Sequence, residues 1–198
     1  MNRIFYFLVY LIFLTTPLES VTVFTNVSIV KLLTFIFLPI ALFNGKNIFT
    51  TEEPFLNIFL IYTVLTILSS IWSIDRKATF NASCLMILPS YIVTLIVYSA
   101  VQNKVHLEKI FMAFTIGCGI AAMTAVYLFI TGFRFIENSR VTVLGQDQNE
   151  LSFLLSFGIV SIIYLIKYTE RKVISKVVLL IFAFLFAFVI LTTGSRTG

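Results

Sequence analysis

The fold is decided by Val177-Val178-Leu179-Leu180-Ile181-Phe182-Ala183-Phe184-Leu185-Phe186-Ala187-Phe188-Val189-Ile190-Leu191-Thr192-Thr193. No residue in this run carries a charge, and the apolar side chains show no alternation. A membrane β-strand would be about ten residues long and would alternate apolar and polar residues, so a helix is the form this run can take. At a rise of ~1.5 Å per residue it reaches roughly 26 Å, close to the ~30 Å hydrocarbon core of a bilayer once its flanks contribute.

Runs of the same kind recur along the chain. Apolar segments occupy Ile4–Leu18, Val27–Phe43, Phe55–Trp72, Ser83–Val101, Ile110–Gly132, Leu151–Ile166 and Val177–Thr193. The composition agrees: 59% of the 198 residues are hydrophobic and the mean hydropathy is +1.03. Soluble domains hold about 45–50% apolar residues, and a surplus this large has lipid as its natural solvent. The expectation is an all-α fold: a polytopic membrane helical bundle of about seven transmembrane helices, forming a single transmembrane domain over residues 1–198. The longest breaks, 44–54 and 133–150, are too short for a soluble domain.

The net charge of +5 would suggest an anionic partner in a soluble protein. Here Lys and Arg cluster in short loops, as in any polytopic membrane protein, so nucleic acid is not expected as a partner and membrane lipids are. Cys84 and Cys118 both fall in apolar segments, outside any CxxC or Cys/His cluster. They read as helix-packing thiols, and no metal or cofactor is expected. The start, residues 1–14 (MNRIFYFLVYLIFL), has the charge and apolar run of a signal peptide. The segment after this run, Thr15-Thr16-Pro17-Leu18-Glu19, lacks a small-x-small cleavage pattern, which favours an uncleaved first span.

Orientation is set by the positive charges. With seven spans, one side holds Arg3, Lys46, Lys104, Lys109, Lys167, Arg171, Lys172 and Lys176. The other holds Arg76, Lys77, Arg134, Arg140 and Arg196. The first set is larger, which predicts a cytoplasmic N-terminus in a multi-pass protein. The opposite, outer side carries the acids Glu19, Asp75, Glu137, Asp147 and Glu150 among its bases.

Three polar stretches fall on that outer side. In Ser69-Ser70-Ile71-Trp72-Ser73-Ile74-Asp75, the indole of Trp72 suits the membrane interface, and Ser73 or Asp75 turns the chain. In Arg140-Val141-Thr142-Val143-Leu144-Gly145-Gln146-Asp147-Gln148-Asn149-Glu150, Asp147 and Glu150 have capping-box spacing for the next helix. That reading leaves Arg140 unexplained, and a guanidinium matches phosphate oxygens bidentately. In Gly194-Ser195-Arg196-Thr197-Gly198, Gly194 suits a helix C-cap, Gly194 and Gly198 a small-xxx-small packing face, and Arg196 a snorkelling position. Placed on one face, the arginines suggest an anion-binding cavity. His106, in the loop expected over Gln102–Lys109, is on the other side and reads as a solvated loop histidine.

Together these stretches resemble the O-antigen ligase and polysaccharide polymerase superfamily of bacterial inner membranes. The family shows S-x-x-W-S-x-D at a span end, matched by Ser69 to Asp75; an Arg followed by D-P-N before a span, matched by Arg140 and Asp147-Gln148-Asn149; and T-G-S-R-[TG]-G after another, matched by Thr193 to Gly198. Gln148 stands where the family has Pro. The resemblance runs from about the second span to the last residue. The family's further spans, large periplasmic loop and functional His have no counterpart, so the sequence is expected to be the N-terminal portion of a longer enzyme.

The resemblance implies glycosyl transfer outside the cytoplasmic membrane, from a glycan on an undecaprenyl pyrophosphate carrier. The acceptor would be another lipid-linked oligosaccharide or lipid A core. It implies Arg140 and Arg196 as pyrophosphate-binding residues, with Asp147 orienting them and Asn149, Ser195 and Asp75 in support. It names no catalytic base in this chain, and implies the company of other polysaccharide-assembly membrane proteins. Two other classes compete: a small-solute or ion transporter subunit and a non-catalytic scaffold. A transporter would bury ionisable groups mid-membrane, where only Lys31 lies within an expected span.

Overall fold

The structure is a computed structural model. It describes residues 3–18, 22–24, 27–30, 32–34, 36–37, 54–101, 103–131, 135–137, 140–142, 148–170 and 172–193. Helix dominates these residues, with two short strand pairs in connecting segments. The helices are α1 (Arg3–Thr15), α2 (Pro54–Ser69), α3 (Arg76–Ala82), α4 (Leu88–Ala100), α5 (Lys104–Thr131), α6 (Gln148–Tyr168) and α7 (Val173–Thr193). The strands are β1 (Thr22–Phe24), β2 (Val27–Ser28), β3 (Phe135–Glu137) and β4 (Arg140–Thr142).

Three helices, Lys104–Thr131, Asn149–Tyr168 and Val173–Thr192, are long and apolar enough to cross a membrane. They coincide with the expected fifth, sixth and seventh spans. Arg3–Leu18, Pro54–Ser69 and Ser90–Ala100 are shorter apolar helices at the expected first, third and fourth. The expected second span, 27–43, does not begin as helix. Val27–Ser28 pair antiparallel with Thr22–Phe24. The β-branched sequence Val21-Thr22-Val23-Phe24 suits a strand, a preference that a hydropathy window does not register. Helix is present at 29–30, 32–34 and 36–37, and 38–43 lie outside the described residues.

The chain forms two compact units. The first joins Met1–Val9 with Leu33–Gln102, and the second joins Tyr10–Leu32 with Asn103–Gly198.

In the first unit α2 starts on Pro54, whose missing N–H costs nothing at a helix start. It ends in a tightened turn, where Ser70, Ile71 and Trp72 donate to the carbonyls of Ile67, Leu68 and Ser69. The chain then reverses. The Ser83 hydroxyl donates to the Thr66 carbonyl at 3.0 Å, and Phe59 meets Tyr91 edge-on at 5.5 Å. These two contacts set α2 antiparallel to the next helix.

That helix begins at Arg76 rather than at Ser83, where the apolar run starts. The segment Arg76–Ala82 is polar, so hydropathy assigns it to a loop, while the Asp75 cap makes it helical. Helix is continuous from α3 through a π turn at Ser83–Ile87 into α4. Pro89 explains the π turn. Proline has no N–H for the carbonyl four residues back, so the α-helical ladder is broken there and a wider turn precedes it. The Leu88 N–H accordingly reaches Ser83 O, five residues back.

In the second unit α5, α6 and α7 pack on one another. The facing core is made by Phe114, Cys118, Ala121, Ala122 and Ala125 of α5, Leu155 and Ile162 of α6, and Phe186 of α7. Small residues on α5 and α6 allow close approach. A Cβ on Gly158 would come within 2.8 Å of the Phe186 ring, and one on Gly119 within 2.7 Å of the Phe182 ring. The register is antiparallel between α5 and α6, with Phe111 on Tyr164 at 4.8 Å and the Cys118 thiol donating to Leu154 O at 3.6 Å. The link between α6 and α7 is short, so they too run antiparallel.

The structure corrects two loop expectations. In the expected loop Gln102–Lys109, residues 104–109 are helix, because α5 begins at Lys104, with the Asn103 side chain accepting the His106 amide at 3.1 Å; Gln102 lies outside the described residues. The polar run Lys104–Lys109 conceals this start from hydropathy, as Arg76–Ala82 does for α3. The long break 133–150 holds a two-stranded pair, β3 against β4.

Candidate functional site

The antiparallel register of the second unit determines which chain ends meet. Tracing it outward from Cys118 and Leu154, the last residue of α5, Thr131, lies at the same end as the start of α6 at Gln148. The packing of Phe186 on Gly158 brings the end of α7, Thr193, to that end as well. The β3–β4 pair belongs to the connection between α5 and α6, and β4 touches α6.

The sequence-predicted residues divide between this end and elsewhere. Arg140 is the first residue of β4, with Glu137 of β3 opposite it in the register. Asn149 and Glu150 lie in the first turn of α6, Asn149 half-buried and engaged in an interaction, Glu150 exposed. Helix α6 begins at Gln148, directly after the expected cap Asp147, and α7 ends at Thr193, directly before the expected C-cap Gly194. Asp147, Gly194, Ser195 and Arg196 themselves lie outside the described residues, as does Lys31. The structure therefore brings the Arg140 strand, the start of α6 and the end of α7 to one end of a single unit.

Asp75 belongs to the other unit. Its carboxylate accepts the Ala78 amide at 2.9 Å, and its carbonyl accepts from the Thr79 hydroxyl at 2.9 Å. Ser73 and Thr79 share a hydroxyl contact of 2.6 Å across the same turn. This is a complete account of Asp75 as a helix N-cap. Trp72 is 69% exposed beside it.

His106 is not solvated loop. Its Nδ1 lies 2.8 Å from the hydroxyl of Tyr10, in the first turn of α5. The partners are 96 residues apart, and no local pattern announces the pair. Cys118 is buried and Cys84 half-buried, and both are free thiols. Among the described residues no three His, Cys, Asp or Glu side chains group as metal ligands. At the shared end the described side chains of the α6 start are Asn149, half-buried, and Glu150, exposed. The chain matches no protein-family model, no curated protein and no solved structure.

Proposed function

We propose that the chain is the N-terminal portion, inactive by itself, of a polytopic membrane glycosyltransferase of surface polysaccharide assembly, of the O-antigen ligase and polymerase type, working at the outer face of a bacterial cytoplasmic membrane with its N-terminus inside. The observation that carries this reading is the meeting, at one end of the second unit, of the β4 strand bearing Arg140, the start of α6 and the end of α7. Two of the three motif stretches flank that end in sequence: Arg140 to Asn149, and Thr193 to Gly198.

In the reaction an acceptor hydroxyl oxygen forms a bond to the anomeric carbon of the donor sugar. The bond from that carbon to the pyrophosphate oxygen breaks, and the lipid pyrophosphate leaves with the electron pair. The acceptor proton passes to a general base, to which no residue here is assigned. Arg140 and Arg196 bind the pyrophosphate and neutralise the charge that grows on it as it leaves. Asp147 orients the guanidinium groups, and Asn149 and Ser195 support them by hydrogen bonding. Asp75 keeps its capping role.

The test is made in cells producing the whole reading frame. Arg140→Ala and Arg196→Ala each abolish or strongly shorten surface glycan on a gel, with protein levels unchanged. Unchanged glycan in both variants would dispose of the reading and favour a scaffold. Ion flux from purified protein in liposomes, lost on Lys31→Ala, would favour a transporter.

A further inference from the structure

The opposite end of the second unit is built from different residues. α5 begins there at Lys104, α6 ends there at Tyr168 and α7 begins there at Val173. The stacking of Phe111 on Tyr164 fixes the levels: Lys104 and Lys109 bracket the level of Lys167, and the short link after Tyr168 holds Lys172, with Lys176 following in the first turn of α7, at the same end. Five residues of helical rise separate Lys104 from Lys109, so the layer is about 8 Å deep. Lys104, Lys109, Lys167 and Lys172 are exposed and Lys176 is half-buried. The described acids of this layer are Glu108 and Glu170, so positive charge is in excess. The Lys167 ammonium lies 5.3 Å from the centre of the Tyr168 ring. Helices α5 and α7 both start at this end, adding the positive ends of their dipoles to the field.

The cations do not stand on a polar surface. Directly beside Lys172 and Lys176, the side chains of Val173, Ile174, Val177 and Val178 are exposed. A ligand that fits must be anionic at one end and apolar beneath. This disfavours a soluble acidic peptide and matches an amphiphile whose phosphate lies among ammonium groups with its acyl chains along the helix below.

We propose that this lysine layer is a docking surface for anionic phospholipid headgroups, with phosphodiester oxygens held among Lys104, Lys109, Lys167, Lys172 and Lys176. The proposal rests on the membrane-spanning part of the reading above and not on glycosyl transfer.

The full chain, purified in detergent, is titrated with fluorescent phosphatidylglycerol and with fluorescent phosphatidylcholine. Phosphatidylglycerol binds roughly tenfold more tightly at low salt. That preference is lost when all five lysines are changed to Gln and kept when all five are changed to Arg. Should the Gln variant fail to fold, the wild-type chain alone decides: its preference collapses at about 0.5 M salt, where exposed charges are screened within a few ångströms. Equal binding of the two lipids, a preference untouched by Lys→Gln, or one untouched by salt overturns the proposal. So does displacement of the lipid by equimolar inorganic phosphate or by an acidic peptide. Carbonate extraction of cell membranes separates the two readings. A chain that stays in the pellet but shows no charge preference sinks the lipid site alone, and a chain released by carbonate sinks both.

Discussion

The carboxylate of Asp75 takes the amide of Ala78 at 2.9 Å, and with that bond helix starts at Arg76. Replacing Asp75 by Ala removes a cap and is expected to cost about 1 kcal/mol. Asn, which also accepts, should recover most of it. Thermal unfolding in detergent checks both, and a neutral Asp75→Ala would refute the capping role. The Tyr10 hydroxyl lies 2.8 Å from His106 Nδ1, a second side-chain bond. Tyr10→Phe keeps the ring and deletes the partner, for an expected loss of about 1 kcal/mol in the same assay. The two residues differ in how far the sequence reveals them. Asp75 is legible in part: the sequence marks it as a turn residue after a span, and its capping of Arg76–Ala82 shows only in the structure. Tyr10 and His106 belong to helices far apart in the chain, and nothing local links them.

At the scale of elements, hydropathy locates α5, α6 and α7 because their length and apolar content agree. It misplaces three starts, each where local chemistry overrides apolarity. Asp75 extends the fourth helix back through the polar Arg76–Ala82, and Asn103 starts α5 inside the expected Gln102–Lys109 loop. The β-branched run before Val27 continues into a strand pair at the expected beginning of the second span. The polar break after α5 reads as a loop, yet Phe135–Glu137 and Arg140–Thr142 pair in register. Close packing between elements is equally hidden. A Cβ on Gly117 would strike the carbonyl oxygen of Leu14, near the end of α1, and lie 3.2 Å from the Pro17 ring. The obstacle is backbone, which cannot rotate aside. We expect Gly117→Ala to push α1 away from α5 and to cost about 1–3 kcal/mol, against a gain below about 1 kcal/mol from helix propensity. Unfolding of the purified variant decides the sign, and a stabilised Gly117→Ala would show that the contact is not as close as described.

For the whole molecule, the two compact units divide the residues singled out by the motifs. Asp75 falls in one, while Arg140 and Asn149 fall in the other with the chain leading to Ser195 and Arg196. Seven expected spans would put all these residues on one side by parity, which carries no information on which of them share a packed unit. In the second unit the two ends have opposed characters: lysines where α5 and α7 begin, and the Arg140 strand where α5 and α7 end. A bundle of this kind should sit across the membrane with those ends on opposite faces. The most direct measurement labels single cysteines, in a chain with Cys84 and Cys118 replaced by Ser, with a membrane-impermeant maleimide added to intact spheroplasts. Cysteines at positions 140 and 196 should both react from outside, and one at position 172 should react only after the membrane is opened. Labelling of positions 140 and 196 from opposite sides, or of 140 and 172 from the same side, would contradict the shared outer end on which the proposed pyrophosphate site depends.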